Sequence, residues 1–217
     1  MKRLYLGVFA VVILSMLVFV NDVFADWKVG NRQWSAYGVK ANIWAPTTPL
    51  YIEESGLSNW VSTPAPFWVQ AGWRYYDPWE FEYPQSYYES CTPPCNADGH
   101  HVIQEVGDHN WGSVHEYKVE HYESTTWCAS IDGVLKHCRI TQGAPAQVLA
   151  FLEIHVSSNN KLDTQFSAVY YRTSDGIWYL FNQENWQEEC PYLIQKDHPY
   201  YFRTYRGNCY YMPLLIR

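Results

Sequence analysis

Short segments in which apolar and polar side chains alternate run along most of this chain, and they restrict the folds open to it. The alternation has the period of two that half-buried strands show, and no segment after residue 25 has the 3.6-residue period of a helix. Clusters of Pro, Gly, Asn and Ser separate the segments, and 18% of the residues are aromatic, which favours sheets. The pattern predicts an all-β, antiparallel β-sandwich or jelly roll. Strands are predicted over residues 35–44, 67–76, 114–122, 125–131, 134–140, 147–156, 164–172 and 177–181.

The N-terminus has the three parts of a secretory signal. Two basic residues precede an almost unbroken apolar run over residues 4–20, and Val23 and Ala25 place small side chains where a signal peptidase cleaves. We expect residues 1–25 to be a signal peptide and residues 26–217 to form a single, secreted domain. The apolar run is also long enough to serve as an uncleaved membrane anchor, so that alternative stays open.

Charge and motifs restrict the partners of the chain. Its formal net charge is −7 and it has no cluster of Lys or Arg, so neither nucleic acid nor, after signal cleavage, a membrane is an expected partner. It has no phosphate-binding loop and no dinucleotide fingerprint, and no cofactor is expected. A monomer is the expected state in solution.

Six cysteines follow the signal segment, and in an exported chain an even number of cysteines indicates disulfides. Local order suggests the pairs, because two cysteines bracket Thr-Pro-Pro, two bracket a hairpin signal at Asp132-Gly133, and two remain towards the C-terminus. The predicted disulfides are Cys91–Cys95, Cys128–Cys138 and Cys190–Cys209. Zinc is the rival interpretation. It requires closely spaced pairs of ligands, and only Cys91 and Cys95 qualify, so no metal site is predicted.

Two of the predicted strands each carry one polar side chain with catalytic capacity in an otherwise apolar run. Gln70 lies in the strand at 67–76 and Glu153 in the strand at 147–156. Because alternate residues share a face, each lies on the less apolar side of its strand, and the opposite, apolar side predicts the core between two sheets. An amide and a carboxylate that face one water molecule in a groove would form a simple hydrolytic site. The alternative is that both side chains only satisfy backbone groups on a polar sheet face.

Residues 69–73, Val-Gln-Ala-Gly-Trp, resemble the strand motif of the glutamic peptidases and of neprosin-type domains. Residues 152–155 resemble the strand that carries the second catalytic residue of these families, a Glu. Further similarity to neprosin-type domains lies in Phe81, Tyr83, Tyr88, Cys91, Cys95, Gly99 and the segments 102–104 and 175–180. The resemblance implies a β-sandwich or jelly-roll fold of the concanavalin-like kind, stabilised by disulfides, and a polypeptide substrate.

The resemblance also implies roles for individual residues. Glu153 would take a proton from an attacking water, and Gln70 would donate its amide N–H groups to the developing oxyanion. An acidic pH optimum follows if Glu153 then protonates the leaving amine. The residues expected to bind the substrate or shape the cleft are Trp68, Trp73, Arg74, Tyr76 and His155.

Several other side chains allow two interpretations. Flat rings can stack on sugars, so a carbohydrate-binding module is the alternative function, and an inert surface protein is a third class. Glu89 is either a second carboxylate in the groove or a solvated acid at a strand end. The segment with His100, His101, Asp108 and His109 is expected to be a surface loop, because its spacing fits no standard metal site. The candidate sugar-stacking residues are Trp27, Trp34, Trp44, Trp60, Trp79 and Trp111.

Overall fold

The computed structural model describes residues 27–47, 57–64, 66–75, 83–95, 101–154 and 163–207. These residues form fourteen strands, and no helix among them is long and apolar enough to cross a membrane. In chain order the strands are β1 (Trp27–Ala36), β2 (Gly38–Trp44), β3 (Leu57–Ser62), β4 (Trp68–Tyr75), β5 (Gln85–Cys91), β6 (His101–Asp108), β7 (Val114–Glu123), β8 (Thr126–Ile131), β9 (Val134–Ile140), β10 (Ala146–Ile154), β11 (Asp163–Arg172), β12 (Trp178–Leu180), β13 (Tyr192–His198) and β14 (Tyr201–Arg206). The predicted signal peptide, Tyr76, His155 and Cys209 lie outside the described residues.

The strands pair into two antiparallel sheets that pack face to face. One sheet has six strands in the order β1-β10-β3-β4-β5-β6. The other follows the order β13-β14-β11-β2-β7-β8-β9, with β12 paired to β11. Strand β4 packs against β7 and β8, and β3 packs against β2. This two-layer arrangement is a β-sandwich, so the predicted fold class is confirmed.

Strands β4 and β10, which carry the candidate catalytic residues, each turn one face towards the core between the sheets. Burying a large apolar side chain contributes about 1.5–3 kcal/mol, so the apolar face of such a strand is held inwards. The other face, with Gln70 on β4 and Glu153 on β10, then points away from the core. The fully buried side chains of these two strands are Val69, Ala71, Trp73, Val148, Ala150, Leu152 and Ile154.

Trp73 lies in the core rather than in a cleft. It is fully buried, and its ring packs against His109 with 5.6 Å between the ring centroids. The prediction that Trp73 shapes a binding cleft is therefore wrong, because strand alternation gives Trp73 the opposite face from Gln70.

The segment predicted to be a surface loop is strand β6 followed by a buried histidine. His109 Nδ1 lies 2.6 Å from the Tyr117 hydroxyl, which in turn lies 2.8 Å from Ser86 Oγ. Burial, and next to it the charge of His115, lowers the pKa of His109 to about 3, so the ring is neutral. Because Ser86 is in β5 and Tyr117 is in β7, this polar chain joins the two sheets through the core.

Two of the three predicted disulfides are confirmed. Cys91–Cys95 joins the end of β5 to the turn that follows it, and Cys128–Cys138 joins β8 to β9 at directly paired positions. Cys190 is also disulfide-bonded, and its predicted partner is outside the described part of the chain.

Candidate active site

A groove covers the face of the six-stranded sheet that points away from the core. Its volume is about 620 Å³, and side chains from all six strands line it. Loop residues Thr63 and Pro64 also line it, as does Gln187, whose segment pairs with the edge of β1. Gln70 and Glu153 both lie in this groove, and the core covers neither of them.

Strand pairing arranges the groove face in rows of neighbouring residues. Gln70 and Glu153 lie in different rows, with strand β3 and one further row between them. With about 4.8 Å between strands and about 3.4 Å per residue, their Cα atoms are offset by about 10 Å across the strands and about 13 Å along them. Their Cα atoms are therefore about 16–17 Å apart, so each side chain reaches the groove from its own side. In this arrangement Gln70 and Glu153 do not face one shared water molecule as predicted, and a substrate carbonyl with its attacking water would have to span the space between them. The three rows are Lys28–Glu153–Ser58–Arg74–Gln85, Gly30–Phe151–Trp60–Gly72–Tyr87–Glu105 and Arg32–Leu149–Ser62–Gln70–Glu89–Ile103.

A cation and an indole hold the Glu153 carboxylate. Lys28 Nζ lies 2.8 Å from Oε1, and Trp60 Nε1 donates a hydrogen bond of 3.1 Å to Oε2. Trp60 stacks on Phe151 with 5.6 Å between the ring centroids, which fixes the position of the indole. The side chain of Glu153 keeps 10% of its surface exposed, so a water molecule in the groove can reach the carboxylate.

Neighbours on β5 take both amide hydrogens of Gln70. Its Nε2 donates one hydrogen bond of 2.6 Å to Glu89 Oε2 and another of 3.0 Å to the Tyr87 hydroxyl. The carboxyl that contacts Gln70 is therefore Glu89, its cross-strand neighbour. In this orientation the amide oxygen of Gln70 is left for the groove, so donation to an oxyanion requires the amide to turn.

Glu89 belongs to the groove, and the alternative of a solvated strand-end acid is wrong. Only 15% of its side-chain surface is exposed, and His101 Nε2 lies 2.6 Å from Oε1. Burial is the largest influence on the pKa of Glu89 and raises it. The contact and charge of His101 and the charge of Arg74 lower this pKa, whereas the charge of Glu153 raises it further. Glu89 therefore becomes protonated at a higher pH than an ordinary Glu.

Two of the predicted binding residues lie in the groove. Trp68 lines it, and its ring meets His101 edge-on at 6.0 Å between centroids. Arg74 also lines it and is already engaged, because its Nη2 lies 2.7 Å from Glu105 Oε1 and its guanidinium covers the Tyr87 ring at 5.4 Å. No group of three or more His, Cys, Asp and Glu residues among those described is arranged to hold a metal ion.

The fold is similar to that of solved glutamic peptidases. A crystal structure of scytalido-glutamic peptidase with a peptide-based transition-state analogue matches with a TM-score of 0.60 at 10% identity, covering 85% of this chain and 100% of that chain. SCP-B, a member of the eqolisin family of peptidases in a complex with the tripeptide Ala-Ile-His, matches with a TM-score of 0.56 at 9% identity and the same coverage. No family model and no curated protein sequence matches the chain. The chain therefore has a glutamic-peptidase-like β-sandwich fold.

Proposed function

We propose that the chain is a glutamic-type peptidase that hydrolyses polypeptides in the groove. The observation that best supports this is that Gln70 and Glu153 line one groove on a sandwich whose fold is similar to that of glutamic peptidases. Those peptidases are solved with a peptide-based analogue and with a tripeptide, which supports a polypeptide as the class of substrate.

Glu153 is the general base in this proposal. Its carboxylate takes a proton from a water molecule while the water oxygen bonds to the peptide carbonyl carbon and the carbonyl electron pair moves to its oxygen. Glu153 then gives the proton to the amide nitrogen as the C–N bond breaks, which releases an amine and a carboxylic acid. Lys28 and Trp60 orient the carboxylate for the first of these steps.

Gln70 stabilises the oxyanion after its amide has turned. An ionised Glu89 can only accept hydrogen bonds and holds a Gln70 N–H group, whereas a protonated Glu89 is a donor to the Gln70 amide oxygen. The second state directs the amide N–H groups of Gln70 into the groove, where they can bind an oxyanion. Because burial raises the pKa of Glu89, this state forms at acidic pH without requiring an extreme one.

We also propose that residues 1–25 direct export and that the remaining domain acts outside the cell. The basic start, the apolar run and the small residues near Ala25 support this proposal. N-terminal sequencing of the exported protein should begin at Asp26, and a sequence that still contains the apolar run would indicate an anchored protein instead.

A carbohydrate-binding module is the second candidate, because aromatic side chains also line the groove. Trp60, Phe151 and Tyr87, however, are buried, with 4%, 1% and 1% of their surface exposed. Trp68 is the remaining aromatic side chain of the groove. Stacking on a sugar requires an open ring face, so peptide hydrolysis is the better supported function.

The test uses residues 26–217, incubated with an unfolded protein substrate from acidic to neutral pH. The wild type should cleave it at acidic pH. Glu153→Gln should lower kcat by about 10²–10⁴-fold because it removes the base. Gln70→Ala should lower it by about 10²–10³-fold because it removes the oxyanion donor. Glu116→Gln is the control, since Glu116 pairs with Lys40 on the other sheet.

Two outcomes would contradict the proposal. Cleavage that survives Glu153→Gln would remove Glu153 from the role of base. A wild type that is inactive at every pH but binds glycans would support the second candidate instead.

A further inference from the structure

Four basic side chains line the groove, and one of them has no carboxylate partner. Arg32 of β1 lines the groove but forms no ion pair with any residue in the described part of the chain. Its charge is therefore left for a ligand. The other three are ion-paired, as Lys28–Glu153 (2.8 Å), Arg74–Glu105 (2.7 Å) and His101–Glu89 (2.6 Å).

The guanidinium of Arg32 rests against an aromatic ring and is not fully hydrogen-bonded. Its Cζ lies 5.4 Å from the centroid of the Phe151 ring, and its Nε is buried without a hydrogen-bond partner. Arg32 also lines a neighbouring hollow of about 530 Å³ together with Trp34 and Glu188. The Glu188 carboxylate is paired there with Lys196 at 3.1 Å and forms no ion pair with Arg32. A guanidinium presents its N–H donors in a rigid fork that matches the two oxygens of a carboxylate.

We infer that Arg32 binds a carboxylate of the substrate, which is either the side chain of an Asp or Glu residue or the C-terminal carboxylate of the peptide. The inference rests on the proposed function in that the ligand is a polypeptide. Binding at Arg32 would make the proposed peptidase prefer acidic segments or the C-terminal segments of its substrates.

The position of Arg32 sets the distance between this subsite and the reacting bond. Arg32 and Gln70 lie in the same row of the groove face and are three strands apart, which is about 14 Å between Cα atoms. An extended peptide advances about 3.3–3.4 Å per residue, so the bound carboxylate lies within about four residues of the bond that is cut.

The experiment measures binding and does not depend on cleavage. Fluorescence anisotropy is recorded with labelled peptides on a Lys28→Gln, Glu153→Gln background. This background keeps Arg32, lacks the proposed base and also lacks the Lys28 ammonium that the loss of Glu153 would leave unpaired. Three peptides share one parent sequence. The first has an internal Glu and an amidated C-terminus, the second has Gln in its place with the same amide, and the third has Gln and a free C-terminal carboxylate.

The first or the third peptide should bind about 10–100-fold more tightly than the second, as expected for a charge-assisted pair. Which of the two binds more tightly identifies the source of the carboxylate. Arg32→Gln should remove this difference, and Arg32→Lys should restore only part of it because an ammonium lacks the fork. Arg203→Gln, which removes an arginine paired with Asp163 on the other sheet, is the matched control and should leave the difference intact. Thermal unfolding of each variant checks that it is folded.

Equal affinity for all three peptides, or an affinity difference that survives Arg32→Gln, would overturn the inference. This failure is distinct from failure of the proposed function. Cleavage by the wild type without any dependence on Arg32 would retain the peptidase and reject the subsite. Carboxylate-dependent binding through Arg32 in a protein that never cleaves would retain the subsite and reject the peptidase.

Discussion

The orientation of one amide group determines what Gln70 offers to a substrate. In the structure its two N–H groups point to Glu89 and Tyr87 on β5, and its oxygen is left for the groove. Such an amide reverses if its strongest acceptor becomes a donor, which is what protonation does to a carboxylate. In the proposed mechanism, Glu89 is thus a positioning residue that acts through Gln70.

Glu89→Gln should extend activity to higher pH. An amide at position 89 stays neutral at every pH and can donate to the Gln70 oxygen as a protonated Glu89 does. In the wild type, activity should fall as the pH rises through the pKa of Glu89, which burial holds above its ordinary value of 4.5. The variant should lack this fall, and profiles of kcat/KM against pH measure it.

A second variant tests whether the fall in activity with pH comes from Glu89. His101→Leu removes the contact that lowers the pKa of Glu89 most, so the fall in activity should persist but move to higher pH. If Glu89→Gln were inactive at all pH values, Glu89 would be a proton donor in the reaction and not a positioning residue.

The candidate site was only partly predictable from single residues. Gln70 and Glu153 stand out because each interrupts an apolar strand with a polar group. Their partners do not stand out, because alternation fixes the face of a residue but not its neighbours in other strands. Glu89 reaches Gln70 through the β4–β5 pairing, and Lys28 reaches Glu153 through the β1–β10 pairing. The neprosin-type part of the resemblance stays a prediction.

At the scale of elements, clear alternation made strands such as β4 and β10 predictable, but one buried face did not suffice, because β14 has one and was missed. Strands β4 and β10 alternate clearly because one side faces the core and the other the groove. Strand β3 is buried throughout and includes Ser58, Asn59 and Ser62, so its sequence looks like a loop. Strand β6 lies at the edge of its sheet and is largely exposed, so it lacks an apolar stripe. The prediction also missed β5, β13 and β14, and it included only the last two residues of β1.

Close contact between β3 and β4 depends on Gly72, in the row between Gln70 and Glu153. A Cβ atom at this position would lie 1.9 Å from the Asn59 carbonyl oxygen and 2.7 Å from the Trp60 Cα. These are backbone atoms, which cannot move aside as the end of a side chain can. Any side chain at position 72 would therefore separate the strands and displace the indole that binds Glu153.

Gly72→Ala should lower the free energy of unfolding by about 1–3 kcal/mol or more, the usual cost of overpacking. Gly143→Ala is the matched control, because nothing lies within 4 Å of a Cβ built there. Urea denaturation measures both variants. Equal denaturation midpoints for the two would show that β3 and β4 tolerate the added methyl group.

At the scale of the whole molecule, a neutral histidine links acidity to stability. His109 lies in the polar chain that joins the sheets, and its pKa is lowered to about 3 from an ordinary value of 6.5. Between these values the unfolded chain takes up a proton that the folded chain excludes. The stability due to the neutral ring is therefore complete above pH 6.5 and is lost as the pH falls towards 3.

His109→Gln should make stability less dependent on pH across this range. The wild type should lose up to about 1.4 kcal/mol of unfolding free energy per pH unit through this one group, and the variant should not. Urea denaturation at a series of pH values gives the two slopes. His198→Gln, at an exposed position, is the control and should follow the wild type. Parallel slopes for His109→Gln and the wild type would exclude His109 as the source of acid sensitivity.

The place of β10 between β1 and β3 determines when the groove can exist at all. Both neighbours are synthesised long before β10, so they have no common partner until the chain has been made through Ile154. Gln70 and Glu89 can meet early, on adjacent strands of one hairpin, whereas Glu153 joins Lys28 and Trp60 only through this late, non-local pairing. A chain still being synthesised thus holds the proposed oxyanion group without the proposed base. Under the proposed function, a partly synthesised chain therefore lacks a complete catalytic pair.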